Sequence, residues 1–135
     1  MRFTLVIMLS LLWGYTPAQK KDAAQKPTEV SLLDPAGFKA KLASNPNAVL
    51  LDVRTPAEFK EGFIPGAVIM DYHAPDFSSK IAALDKTKTY FVYCKVGGRS
   101  GKTVELMKSS GFKEIVDLKG GYTAWVEKGY DTKKP

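Results

Sequence analysis

Cys94 is the only cysteine among 135 residues, and it heads the run Cys94-Lys95-Val96-Gly97-Gly98-Arg99-Ser100. A thiol acts as a nucleophile through its thiolate, so its neighbours decide its reactivity. The two glycines allow the backbone to curl until successive N–H groups face one point. A helical pattern over residues 101–109 follows, and a helix N-terminus brings partial positive charge to the same place. Lys95 and Arg99 add two full charges nearby. Each feature favours thiolate over thiol, and the Cys94 pKa is expected to be lowered. The chemistry this permits is nucleophilic catalysis on one sulfur, with residues 95–100 cradling an anionic group. The plain alternative is a small apolar residue closing a core strand, and the glycine loop with its two cations argues against it.

The elements around this loop read as alternating strands and helices. Tyr90-Phe91-Val92-Tyr93 is a short buried strand that delivers Cys94 to its carboxyl end. Residues 29–32 form a short edge strand, and Asp34-Pro35 caps a helix whose inner face carries Phe38 and Leu42. Residues 48–53 are a nearly continuous apolar run, which suits a strand covered on both faces of a parallel sheet. Thr55-Pro56-Ala57-Glu58 is a capping box with proline at the first helical position. Residues 67–70 make the next strand and residues 76–84 the next helix. After the Cys94 loop and its helix, residues 114–118 form the last strand, and Gly120-Gly121 lead into a helix with Tyr122 and Trp125. The predicted fold is α/β, a mainly parallel five-stranded sheet with helices on both faces. Sites in such sheets lie beyond the carboxyl ends of the strands. Cys94 and the pair Asp52 and Arg54 both fall there.

The chain is long enough for one domain with a core that needs no staples. With one cysteine, no disulfide can form within the chain. Met1-Arg2, an apolar run over residues 3–13 and the small residues around Thr16-Pro17-Ala18 read as an export signal over residues 1–18, cleaved before Gln19. A retained membrane anchor is the alternative, although the uncharged stretch of 16 residues, 3–18, falls short of a spanning helix. Either reading places the protein outside the cytoplasm, periplasmic or secreted. Residues 19–28 read as a flexible linker and residues 29–135 as the folded domain. The formal charge of +6 becomes +5 once Arg2 is removed with the signal. The lysines are scattered and no basic stripe is interleaved with aromatics, so small anions rather than nucleic acid are the expected partners. No metal or cofactor is expected. His73 is the only histidine and has no companion ligand in sequence. Gly120-Gly121 lacks the surrounding pattern of a phosphate loop and reads as a tight turn.

Three segments carry a resemblance. Leu50-Leu51-Asp52-Val53-Arg54-Thr55-Pro56-Ala57-Glu58-Phe59 with Gly62-Phe63-Ile64-Pro65-Gly66-Ala67 is the first. Val92-Tyr93-Cys94 with Gly97, Arg99 and Ser100 is the second. Val116-Asp117-Leu118-Lys119-Gly120-Gly121-Tyr122-Thr123-Ala124-Trp125 with Gly129-Tyr130 is the third. In this order the chain resembles the single-domain rhodanese-like (thiosulfate sulfurtransferase) family over residues 30–130. The resemblance implies that Cys94 takes the outer sulfur of thiosulfate or a related donor as a persulfide. It then passes that sulfur to cyanide or a thiol, a protein thiol included. Two half-reactions on one residue predict ping-pong kinetics. Four residues separate Cys94 from Arg99, which is similar to the short loop of the sulfur-handling branch rather than the longer phosphatase loop.

The resemblance gives Asp52 and Arg54 a supporting role, holding the surrounding loops through charge-assisted hydrogen bonds. Glu58 is expected to serve its own helix cap and no more. Lys95, Val96, Gly97, Gly98, Arg99 and Ser100 form the expected substrate-binding loop. Arg99 is expected to face the anionic donor, Lys95 with less support because its side chain could point to solvent. Ser100 is expected both to cap and to donate to the bound sulfur. The alternative function is a persulfide carrier or protein-interaction module of the same fold, without turnover of its own.

Overall fold

Among the described residues, all five strands run in the same direction, and each is followed by a helix. The computed structural model describes residues 26–135. The expected export signal and residues 19–25 of the expected linker lie outside the described residues. The strands are β1 (Glu29–Leu33), β2 (Val49–Asp52), β3 (Val68–Ile69), β4 (Thr89–Tyr93) and β5 (Glu114–Leu118). The helices are α1 (Pro35–Ala43), α2 (Pro56–Glu61), α3 (Phe77–Ala82), α4 (Gly98–Ser109) and α5 (Gly121–Glu127). The five strands pair in the order β1-β5-β4-β2-β3, all parallel.

Alternation along the strands builds two cores, one on each face of the sheet. Leu51, Val53, Tyr90, Val92, Cys94 and Ile115 point to the α3 and α4 side, where Ile81, Val104 and Met107 meet them. Leu50, Phe91, Tyr93, Val116 and Leu118 point to the other side, against Phe38 of α1 and Trp125 of α5. Phe38 meets Phe91 edge-on at 5.2 Å between centroids and Trp125 at 6.3 Å, a favourable arrangement of ring quadrupoles. The C-terminal tail closes this side through a short antiparallel bridge between Phe63 and Lys133.

The capping signals work as their chemistry requires. The Asp34 carboxylate accepts from the Gly37 amide at 2.8 Å and starts α1. The Thr55 hydroxyl and the Glu58 carboxylate satisfy each other's backbone amides at the start of α2. The expected boundaries shrink at three elements. Ala48 is taken by a turn to Asn45, so β2 starts one residue later. Residues 67–70 reduce to Val68–Ile69, and residues 76–84 to Phe77–Ala82. Conversely, α4 begins at Gly98 rather than at residue 101. Gly98, Arg99 and Ser100 lack an apolar rhythm because their turn serves the loop, so periodicity does not reveal them.

Candidate active site

Three adjacent strands, β2, β4 and β5, release their chains at one edge of the sheet, and Cys94 emerges from the central one. The loop after Cys94 is shaped from outside by the start of α5. The amide of Tyr122 donates to the Cys94 carbonyl at 2.8 Å, and that of Thr123 to the Lys95 carbonyl at 3.0 Å. Holding these carbonyls outward leaves the following N–H groups free to turn inward. Gly121 makes the approach possible. A Cβ there would lie 2.5 Å from the Lys95 carbonyl carbon and 2.6 Å from the Cys94 oxygen, and its φ of +61° disfavours any side chain. Gly120-Gly121 was expected as a tight turn, and its close contact with the Cys94 and Lys95 backbone comes from the structure.

The Gly97 amide points at the Cys94 sulfur, with N to Sγ 3.1 Å. Gly97 reaches this position with φ +115°, in the left-handed region. The Ser100 hydroxyl lies 3.6 Å from Sγ and 3.2 Å from the Gly97 carbonyl oxygen. Burial pushes the Cys94 thiol pKa up, but the Ser100 amide and hydroxyl with the amides of Gly97 and Val96 outweigh it. The net pKa is lowered, as the loop chemistry predicted. The thiol is 1% exposed. It can be reached only by a small group or after movement of the loop. Lys95 and Val96 face outward, Val96 at 64% exposure.

Arg99 differs from its expectation. Its guanidinium is engaged by Glu58, Nη1 to Oε2 at 2.7 Å and Nη2 to Oε1 at 2.8 Å. Glu58 Oε2 also accepts from the Thr55 amide and hydroxyl. The Arg99 contact is the main cause that holds the Glu58 carboxyl down at about 2. Glu58 is thus more than a cap, because it ties α2 to the first turn of α4. Nothing local in the sequence marks a contact between residues so far apart, although an acid in the capping box facing a loop arginine is a permissible pairing.

Asp52 and Arg54 do hold the neighbouring loops. Arg54 Nη2 donates to Asp52 Oδ2 at 2.7 Å and to the Gly62 carbonyl at 2.7 Å, with both residues buried. Tyr93 adds its hydroxyl to Asp52 Oδ2 at 2.8 Å and accepts from the Ile64 amide at 3.1 Å. Burial drives the Tyr93 phenol pKa far upward, so it remains a donor. The Arg54 guanidinium also stacks under the Tyr122 ring at 4.1 Å. Tyr122 is half-buried, packs against the edge of the core and covers this ion pair, whereas Trp125 is fully buried. Arg54, Glu58, Glu61, Lys95, Tyr122 and Thr123 line a cavity of about 190 Å³ beside the loop. His73 is exposed and its amide is held by Asp71.

Sequence reading overlooked Tyr93, which looked like an ordinary strand residue, and Asp117, an acid between Val116 and Leu118 in the buried part of β5. The acid in an apolar run was itself the available signal. Asp117 is buried, and its Oδ1 has no hydrogen-bond partner among the described residues.

The family model described as Rhodanese-like domain matches residues 34–128. The chain is 29% identical over 100 residues to a protein of Allochromatium vinosum named Sulfurtransferase, covering 74% of this chain and 92% of that one. It is 36% identical over 93 residues to Thiosulfate sulfurtransferase 16, chloroplastic, of Arabidopsis thaliana, covering 62% and 78%. Among solved structures, a rhodanese-related protein from Thermoplasma volcanium superposes with a TM-score of 0.68 at 28% identity, covering 78% of this chain and 99% of that one.

Proposed function

The chain belongs to the rhodanese-like domain family and is a sulfurtransferase with a single buried cysteine, and on that premise we propose that it moves sulfur through a Cys94 persulfide. The Cys94 thiolate attacks the outer sulfur of thiosulfate or a related donor. A new S–S bond forms, and the donor's own S–S bond breaks with its electron pair leaving on sulfite. Cyanide or a thiolate then attacks the terminal sulfur, and Cys94 departs as the thiolate. The products are thiocyanate or an acceptor persulfide, and no outside oxidant or reductant is consumed. The observation that carries this reading is the Gly97 amide aimed at Sγ at 3.1 Å, with the Ser100 hydroxyl beside it. Such donors stabilise a sulfur anion before and after loading. Initial rates with thiosulfate and cyanide should give parallel double-reciprocal lines, and Cys94→Ser should abolish turnover while folding. Intersecting lines, or turnover in Cys94→Ser, contradict the proposal.

The second reading is a persulfide carrier or protein-interaction module of the same fold, which passes the sulfur to a protein thiol. Loaded Cys94 with negligible cyanide turnover would mark the carrier. We also infer export, on the charged start, apolar run and small-residue site of residues 1–18. A mature N-terminus at Gln19, read by mass spectrometry of the protein from its own cells, is the expected result. A cytoplasmic protein retaining Met1 would contradict it.

A further inference from the structure

An edge strand holds unpaired backbone groups out to solvent, and proteins protect such edges with charge, proline or brevity. Of the two outer strands here, β3 is only two residues long, whereas β1 has five and pairs with β5 alone among the described residues. From Val30 to Leu33 β1 carries neither charge nor proline. Val30 and Leu32 are 43% and 60% exposed, while Leu33 packs on the opposite face with the core that holds Phe38. The backbone shows which groups the edge presents. The Glu29 amide donates to the Lys113 carbonyl at 3.0 Å, and the Leu33 carbonyl accepts from the Lys119 amide at 2.8 Å. Residues 29, 31 and 33 therefore turn their backbone groups to β5, and alternation points those of Val30 and Leu32 out of the sheet.

We propose that this edge pairs with β1 of a second copy of the chain, antiparallel, about a twofold axis at Ser31. Three properties of the segment select that register. Val30 faces Leu32 of the partner subunit, so apolar side chains meet, and both residues hold out the N–H and C=O that a hydrogen-bonded antiparallel pair exchanges. Pro27 and Pro35 are equally spaced about Ser31, so each proline faces the other at the two ends of the ladder, where no further bond is needed. Lys26 precedes the strand and Asp34 follows it, so antiparallel pairing brings opposite charges together at each end. A twofold at Val30 would set Leu32 against Thr28, and one at Leu32 would set Val30 against Asp34. The contact is isologous and closes at two copies, joining the two sheets edge to edge. It is smaller than an obligate interface, so the dimer exchanges with monomer as concentration falls. The pairing uses no residue of the Cys94 site and stands apart from the sulfur-transfer reading.

Both cores draw their members from residues 33–130, so residues 19–135 contain the whole domain. Sedimentation equilibrium of residues 19–135 should show the average mass climbing from one copy towards two as concentration rises. Leu32→Lys should weaken association at least about tenfold, because a lysine on the edge opposes strand pairing. Val126→Lys makes the same charge change at an exposed valine of α5 and should leave association unchanged. The register is read by cross-linking with oxidised glutathione in a Cys94→Ser background. Ser31→Cys should link two copies, since residues facing each other in a non-hydrogen-bonded pair stand about 4.5 Å apart at Cα. In Val30→Cys the two thiols lie diagonally, about 7–8 Å apart at Cα and beyond disulfide reach, so linking should be at least about tenfold slower. A monomer at every concentration overturns the proposal, as do equal losses in the two lysine variants. Failure of Ser31→Cys to link, or Val30→Cys linking as fast, overturns the pairing about Ser31.

Discussion

Arg99 lies across Glu58 in a two-point bond of 2.7 and 2.8 Å, joining the capping box of α2 to the first turn of the helix that follows Cys94. The same carboxylate closes its own cap on Thr55. One acid therefore fixes the entry of one helix and the position of the Cys94 loop's far end. Arg99 is a loop anchor in this arrangement, and its charge reaches the sulfur from within a partner's grasp.

Glu58→Gln and Arg99→Ala should each lower thiosulfate turnover about tenfold while costing only about 1 kcal/mol of stability, the scale of a partly exposed ion pair. In the double variant the turnover losses should fail to add. Steady-state kinetics with urea denaturation checks both. Full additivity, or unchanged kinetics in Glu58→Gln, would show that Arg99 works on the donor independently of Glu58. The stability share of the pair is present above the ordinary Glu range and is lost as pH falls towards about 2, because the folded carboxyl titrates there.

Asp52→Ala should be far more damaging. It strands the Arg54 guanidinium, which is buried with the Gly62 carbonyl as its remaining hydrogen-bond acceptor. A loss of about 3–5 kcal/mol is expected by denaturation, since breaking one side of a buried pair leaves an uncompensated charge. Tyr93→Phe should cost less, about 1–2 kcal/mol, by removing the bonds to Asp52 and the Ile64 amide. A mild Asp52→Ala would mean that water reaches Arg54.

Gly121→Ala tests how the loop is shaped. The added Cβ would meet the Lys95 and Cys94 carbonyls at 2.5 to 2.6 Å with φ at +61°. Destabilisation of at least about 2 kcal/mol is expected, with loss of the Tyr122 amide bond to Cys94 and of persulfide formation. Gly97→Ala meets no atom within 4 Å, so it should cost only the strain of its positive φ, about 1–2 kcal/mol. Equal effects at the two positions would refute the close-contact account.

The sequence disclosed the architecture because its signals are local. Asp34-Pro35 and Thr55-Pro56-Ala57-Glu58 declare helix starts through their own side chains, and the apolar runs of β2 and β4 declare strands covered on both faces. Cys94 and its glycines were equally legible, since one loop contains them. The remainder depends on contacts between distant residues. Glu58 meets Arg99, Tyr93 meets Asp52, and the Tyr122 amide meets the Cys94 carbonyl only after the sheet has brought three strand ends together. The start of α4 escaped for another reason: Gly98, Arg99 and Ser100 carry no apolar side chain, so no apolar period marks them.

Asp117→Asn should raise stability at pH 7 relative to its effect near pH 4. The folded pKa of Asp117 is raised to about 6, above its unfolded value, so the stability associated with its proton is lost as pH rises through that range. Asparagine removes the loss, and the difference between variant and wild type should grow by about 2 kcal/mol from pH 4 to pH 7. Urea denaturation at the two pH values checks this. A difference that is independent of pH would place the carboxyl in water.

The most direct test is the intact mass of residues 19–135 after incubation with thiosulfate, before and after cyanide. A gain of roughly 32 Da on Cys94 that cyanide removes is the predicted result, since the covalent intermediate carries one added sulfur. No gain, or a gain that persists in Cys94→Ser, contradicts sulfur transfer from thiosulfate through this cysteine.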